Sequence, residues 1–405
     1  MSWSSQNLAD SMDVADSSRR RILIHASNLT AAGPKVVCAG LLPSLVSAAP
    51  DAVFTIMIPE ELRSWNLDLP GNARVRYCQS RRGISNDLER LRDLFFEVRR
   101  VAKEVRADVC LTLGDYPPIG LPCPTVVFVH LPMLAYKPAE MHGLMDWPWL
   151  KYVYLKNHFR ATARRAAFVA VQTEVMARRL SAAYGIASRR IALIPQPVPR
   201  HLAPTSDSSS SSPIRLGPKP VKLTFLAAYY PHKNHEILPQ VASELRKRGL
   251  SGRVHIYTTV DAARCPSAKV RQCFEADADV ISNLGPVQPA DVCSLLRNST
   301  ALFSPTLIET YGLVYLEAIS VGLPILTSDR DFAHYMCGDL AHYFDPCDAQ
   351  SIADCIEEFC TWQKPADYAE QARQGLARFP RDWGSVGQTF LDLLMRAVNQ
   401  NRAEV

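Results

Sequence analysis

The sequence has no apolar run approaching the ~20 residues that a helix needs to span a bilayer. A helical membrane protein is therefore not expected. Its first residues, MSWSSQNLADSMDVADSS, carry no apolar stretch of the secretory-leader kind. They read as a disordered tail over residues 1–19. The 11 cysteines are odd in number, and none belongs to a CxxC pair. Several, such as Cys110 in ADVCLTL, sit in apolar stretches. That usage speaks against structural disulfides and a zinc site, and for a reducing cytoplasm. No nucleic-acid-binding motif is present and the basic residues are dispersed, so nucleic acid is not an expected partner. The net charge is only +5. Composition alone points no further than an anion such as a nucleotide or a lipid surface.

What the chain does have is length and alternation. Its 405 residues are too many for one comfortable core, and 47% apolar with 21% charged residues suits a soluble globular protein. Short apolar runs alternate with helical patterns from residue 20 onward. The runs are Arg21–His25, Ala52–Ile58, Val109–Leu113, Thr125–Val129 and Ala167–Val171; the helical spacing covers Val36–Leu45 and Leu88–Val105. Buried parallel strands have this continuous apolar character. Then Pro204-Thr205-Ser206-Asp207, five serines and Pro213 form a low-complexity linker. Alternation restarts beyond it at Leu223–Leu226, Val254–Tyr257, Ala301–Ser304, Pro324–Thr327 and His342–Phe344, with a helix over Pro239–Arg248. The pattern predicts an α/β protein of two Rossmann-like, doubly wound domains facing a central cleft. The first covers 20–203, the linker 204–220 and the second 221–379.

One segment decides the chemistry. Residues 303–326 read FSPTLIETYGLVYLEAISVGLPIL, with Glu309 and Glu317 eight residues apart. Glu309 falls in a strand-to-helix loop with Thr310, Tyr311 and Gly312; Leu313 and Glu317 fall on the helix that follows. Along a helix the two carboxylates are separated by at most ~12 Å. That is near the span of a sugar joined to a nucleoside by a diphosphate. Free N–H groups at the helix start suit phosphate oxygens, and Gly312 allows close approach of the backbone. The bland reading of the two acids is a solvated pair that favours the helix dipole.

This Glu-x7-Glu stretch, with its internal Gly-Leu and trailing Gly-Leu-Pro, resembles the retaining glycosyltransferase family 4 group, also called glycosyl transferases group 1. Their fold is named GT-B. The resemblance implies that Glu309 contacts the donor sugar, Glu317 the ribose, and Thr310, Tyr311, Gly312 and Leu313 the rest of the substrate. Leu226-Ala227-Ala228-Tyr229-Tyr230-Pro231-His232-Lys233-Asn234 resembles the segment in which members place a lysine against the donor diphosphate, and Lys233 fits that role. Many members also carry an arginine five residues earlier, where this chain has Ala228. Val126–Pro132 resembles the segment that brings a histidine, here His130, close to donor sugar and acceptor. Ala31-Ala32-Gly33-Pro34-Lys35 resembles a glycine-rich substrate loop, with Gly33 its one glycine. Val171–Glu174 and Ile194–Val198 match family framework without assignable chemistry. Members lay the last helix back on the first domain, which suits residues 380–405.

The expected activity is transfer of a hexose from a nucleotide diphosphate sugar to an acceptor hydroxyl with retained configuration. His130, Lys233 and Glu309 would do the chemistry. No cofactor or metal is expected. Asp277-Ala278-Asp279 and Asp329-Arg330-Asp331 match a DxD metal pattern but lack further oxygen ligands. Two alternatives stay open: a nucleotide-sugar epimerase of the same fold, and a catalytically weak sugar-nucleotide-binding protein. Trp147, Trp149, Tyr152 and Tyr154 beside Lys151, Lys156, Arg160, Arg164 and Arg165 suggest peripheral attachment to an anionic, cytoplasmic membrane face. A glycan or lipid-linked acceptor would suit that location. An ordinary amphipathic helix with a basic outer face is the competing reading.

Overall fold

The structure, a computed structural model, describes residues 19–27, 32–60, 63, 67–78, 96–141, 149–198, 214 and 216–404. The N-terminal tail, most of the serine-rich stretch, and Trp147 lie outside them.

Among the described residues the strands form two sheets. The first has the order β3-β2-β1-β4-β5-β6-β7, from β1 (Arg21–His25), β2 (Val53–Pro59), β3 (Ala73–Cys78), β4 (Val109–Thr112), β5 (Thr125–Phe128), β6 (Phe168–Val171) and β7 (Ile191–Leu193). The second has the order β10-β9-β8-β11-β12-β13, from β8 (Val221–Phe225), β9 (Val254–Thr258), β10 (Ile281–Asn283), β11 (Ala301–Ser304), β12 (Ile325–Ser328) and β13 (Ala341–Phe344). Every pairing is parallel. The central strands are buried along their length, as in VCLT of β4 and ALFS of β11. A parallel sheet covered by helices on both faces requires such runs.

Three strands have no counterpart among the runs read from sequence, and one is the three-residue β10. β3 is ARVRYC, an edge strand whose arginines break the apolar run. β7 is three residues long and half-exposed. All three are edge strands, where one face no longer demands apolar side chains. The helix read over Leu88–Val105 is described only from Val98 to Glu104.

The order places the candidate site. β1 neighbours β4 in the first sheet and β8 neighbours β11 in the second. At these two junctions successive connections leave in opposite directions, opening a crevice beyond the carboxyl ends of the strands. The loops that follow β8 and β11 carry Lys233 and Glu309.

The helix Trp383–Glu404 packs on the first domain against Ala32–Ala48. Glycines allow this contact. A Cβ on Gly387 would meet the Ser44 carbonyl carbon at 2.8 Å, and one on Gly40 would enter the Trp383 ring. A continuous apolar cluster crosses between the domains. It joins Val127, Leu134, Tyr136 and Met176 of the first to Ile308, Tyr311, Tyr315 and Phe332 of the second.

Candidate active site in the interdomain crevice

On the second domain, Pro231–Lys233 forms a single 3-10 turn closed by Asn234 at φ 66°. Asparagine tolerates this left-handed conformation better than most side chains. Its amide also donates to the Pro346 carbonyl at 2.8 Å. The turn is stitched to the loop after β11, because the Leu307 N–H donates to the His232 carbonyl at 2.8 Å. Lys233 thereby faces Glu309, and the two form a hydrogen-bonded ion pair. Burial pushes the Glu309 carboxyl upward, but Lys233, His232 and the Thr310 N–H together outweigh it, leaving the group below its ordinary range. Glu309 is thus an anion in a mostly enclosed site.

The next helix, Leu313–Ser320, starts at Gly312, whose φ is 78°. A side chain here would be strained, and its Cβ would lie 2.6 Å from the Tyr315 ring and 3.3 Å from Glu309 Cγ. Glu317 is half-buried on this helix, with Leu313 half-buried at its start. Ala228 is exposed.

The first domain contributes His130, just past β5. Its backbone N–H and that of Leu131 both donate to Asp115 Oδ1, at 2.6 and 2.7 Å. The Gln172 amide lies 3.1 Å from His130 Nδ1. With the amide donating, the imidazole proton sits on Nε2. That Nε2 is shut off from solvent without a partner, as is Gln172 Oε1. Burial lowers His130 to about 3, so the ring is neutral. Burial likewise raises Asp115 to about 6, against three backbone N–H bonds that lower it.

Asp115 and Gln172 were not singled out from sequence as site residues. Their signal was position: each stands just beyond the carboxyl end of a strand.

Thr310 and Tyr311 turn toward the first domain. The Thr310 hydroxyl donates to the His130 carbonyl at 3.4 Å, and the Tyr311 hydroxyl to the Gln196 carbonyl at 2.5 Å. These bonds bring His130 and the Glu309 loop together across the crevice. Gly33 lies in the first turn of the helix Ala32–Ala48.

The DxD acids have other partners. Asp277 and Asp279 both pair with Arg246. Asp329 pairs with His334 and Asp331 with Arg179. Among the described residues no three His, Cys, Asp or Glu side chains converge as a metal site. Nor is any helix among them long and apolar enough to cross a membrane. On the helix Trp149–Ala163, Tyr152 is buried and Tyr154 exposed. Arg160, Arg164 and Arg165 are exposed on or just beyond it, while the side chains of Trp149 and Lys151 lie outside the described residues.

Residues 220–361 match the family model for glycosyl transferases group 1. A D-inositol 3-phosphate glycosyltransferase from Gordonia bronchialis is 27% identical over 172 residues, which are 39% of this chain and 36% of that protein. The match therefore spans about a third of the relative's length. Among solved structures, a glycosyltransferase from Rickettsia africae aligns over 94% of this chain and 99% of its own, with TM-score 0.65 and 13% identity. WaaG, a glycosyltransferase involved in lipopolysaccharide biosynthesis, aligns over 92% and 99%, with TM-score 0.65 and 16% identity. An α,α-trehalose-phosphate synthase (UDP-forming) from Burkholderia vietnamiensis aligns over 93% and 100%, with TM-score 0.65 and 15% identity. Likeness at such identities establishes the fold, two facing parallel α/β domains of the GT-B kind.

Proposed function

We propose that this chain, a GT-B protein whose second domain belongs to the glycosyl transferases group 1 family, moves a hexose from a nucleotide diphosphate sugar to an acceptor hydroxyl with retention of configuration. The observation that carries this reading is the Lys233–Glu309 pair at the junction of β8 and β11, beside a helix start freed by Gly312.

An ammonium there stabilises the diphosphate as the bond from sugar C1 to phosphate oxygen breaks and its electron pair leaves with the phosphate. The helix-start N–H groups near Leu313 add to that field. Glu309 would share Lys233 with the incoming diphosphate and accept hydrogen bonds from hexose hydroxyls, and Glu317 would hold the ribose. His130, neutral, would offer an Nε2–H to a sugar or acceptor oxygen once the domains part enough to uncover it, rather than a transferable proton at neutral pH. The acceptor oxygen forms the new bond to C1, and its proton departs with the leaving phosphate. No cofactor or resident metal enters this scheme. Ala228 leaves the diphosphate with one cation fewer than many family members supply.

Acceptor choice belongs to the first domain, which lies outside the family match. The names of the similar proteins mention an inositol phosphate in one case and lipopolysaccharide biosynthesis in another. We favour a lipid-linked or glycan acceptor reached from the cytoplasmic face of a membrane. The exposed Arg160, Arg164 and Arg165 support this, as does exposed Arg189 close by; Arg190 beside it bonds to the Arg164 and Ala166 carbonyls. The buried Tyr152 takes one ring away from such an interface.

A thermal-shift screen of UDP-, GDP- and ADP-sugars tests the donor, because a ligand specific to the native state raises the unfolding midpoint. The stabilising donor is then incubated with and without acceptors. Nucleoside diphosphate release that depends on acceptor supports transfer. A new nucleotide sugar without acceptor would establish the epimerase, and binding without turnover the binding protein.

A further inference from the structure

We propose that Tyr136 and Arg179, both on the first domain, are positioning residues that hold the Glu309 loop in its working shape. The inference rests on the glycosyltransferase reading for its catalytic meaning, although the contacts themselves do not.

Tyr136 is buried, and its hydroxyl donates to the Glu309 carbonyl oxygen at 3.1 Å across the domain boundary. A buried tyrosine hydroxyl needs such a partner. The Tyr136 backbone is itself fixed, since Lys156 donates to its carbonyl at 3.1 Å. Over the Tyr136 ring, at 4.0 Å, lies the Arg179 guanidinium. Arg179 sits on the helix Glu174–Tyr184, which is capped by the Thr173 hydroxyl at its start and by left-handed Gly185 at its end. Its guanidinium reaches Glu140 of its own domain at 2.8 Å and Asp331 of the second domain at 2.8 Å. A planar fork stacked on a ring and paired to two carboxylates is an arrangement lysine cannot reproduce.

The neighbouring bonds point the same way. The Thr173 hydroxyl donates to the Thr310 carbonyl at 3.2 Å. The carbonyls of Glu309 and Thr310 are therefore both held by first-domain hydroxyls. Contacts between domains are by default the mobile ones. Here the loop that carries Glu309 is shaped by them. The orientation of the Glu309 carboxylate follows domain closure, so a donor bound to an open molecule meets an incomplete site.

The test uses the full chain carrying Tyr136→Phe, Arg179→Met or Arg179→Lys, with Asp331→Asn as a milder break from the opposite domain. Hydrogen exchange of the ligand-free protein should quicken in peptides covering 307–312 by about fivefold when one such bond is lost. The strands of the second sheet should keep wild-type exchange, and Arg179→Lys should recover only part of the protection. UDP, GDP and ADP affinities, measured by calorimetry, should stay within about twofold, because Lys233 is untouched. Turnover of the sugar form of whichever nucleotide binds should fall about tenfold or more in kcat. Unchanged exchange at 307–312 in every variant would overturn the proposal, as would exchange rising equally throughout the second domain. If the exchange behaves as expected but wild type binds no nucleoside diphosphate, the positioning contacts stand and the glycosyltransferase reading fails.

Discussion

On the second domain's side of the crevice stand opposite charges, Lys233 and Glu309, each held by a turn stitched to the other's loop. On the first domain's side stand neutral hydrogen-bonding groups, His130 and Gln172, with inward atoms that lack partners. Both sets lie beyond the carboxyl ends of parallel strands, so topology alone does not distinguish them. The contrast lies in what each can bind. A fixed charge pair in a poorly hydrated site suits a diphosphate, which can compete for Lys233. A neutral donor with a buried, unmet hydrogen-bonding need suits hydroxyl groups, for which a charge would be wasteful. In the proposed reaction the division is donor phosphate on one side, sugar and acceptor hydroxyls on the other.

Glu309→Gln breaks the charged side with the largest expected effect. The amide keeps the shape and can still accept from Lys233, so the fold should persist. Turnover of the stabilising nucleotide sugar should fall about 10²–10³-fold, the range seen when one preorganised electrostatic group is lost. Normal kcat, measured by nucleoside diphosphate release, would remove Glu309 from the chemistry. Next comes Lys233→Ala. It should weaken nucleoside diphosphate binding about 10–100-fold, as expected for one charge-assisted hydrogen bond. Calorimetry giving wild-type affinity would place the diphosphate elsewhere.

Acid probes both domains at once. Burial lowers His25 to about 4 and His130 to about 3 in the first domain. In the second, burial first and then Lys233 lower His232 to about 4 and His235 to about 3. Each folded value lies below the unfolded one, so each neutral ring contributes stability that is present above pH ~6.5 and lost as pH falls toward its folded value. Asp115 acts in the opposite direction. Raised to about 6, it favours the fold most below its unfolded pKa, and that contribution disappears as pH rises through 6. Four histidines outweigh one aspartate between pH 6.5 and 5, and the unfolding midpoint should drop over that interval. His235→Phe tests a single contributor. The imidazole stacks on Phe225 at 4.2 Å, and both its nitrogens lack side-chain hydrogen-bond partners. Removing it should relieve about 1.4 kcal/mol of acid destabilisation per pH unit. An unchanged slope in chemical denaturation at pH 6.5, 5.8 and 5.0 would show that His235 does not titrate on unfolding.

Legibility differed between the same two sides. The charged side could be read because its chemistry is local. Glu309, Gly312 and Glu317 lie within one loop and helix, and Lys233 follows the first strand of its own domain. The neutral side depends on pairs distant in sequence, Asp115 with His130 and Gln172 with His130. No periodicity links these, and only the parallel pairing of β4, β5 and β6 brings them together. Tyr136 and Arg179 were harder still. Their partners Glu309 and Asp331 lie on the other domain, and an aromatic-arginine stack has no fixed sequence spacing. The central strands were read closely because burial on both faces forces apolar runs. β3, β7 and β10 were missed because that demand relaxes at an edge.

The smallest effect is expected where the sequence offers a metal pattern. Asp277 and Asp279 are two acids in DxD spacing, but both turn to Arg246 on the helix Leu238–Lys247. They also lie before β10, whereas the crevice opens beyond the carboxyl ends of the strands. Arg246 holds Asp279 below its ordinary range through a direct hydrogen bond, and half of the Asp279 side chain is exposed. Exposed pairs of this kind are worth about 0–1 kcal/mol. Asp279→Asn should therefore lower stability by no more than that and leave turnover unchanged. Excess EDTA should likewise leave turnover intact, because Lys233 and the helix start carry the diphosphate charge in the proposed reaction. If EDTA stops turnover and a divalent ion restores it, the charged side of the crevice needs a cation beyond Lys233. Ala228, where the family resemblance implies an arginine, would then mark the place where that charge is missing.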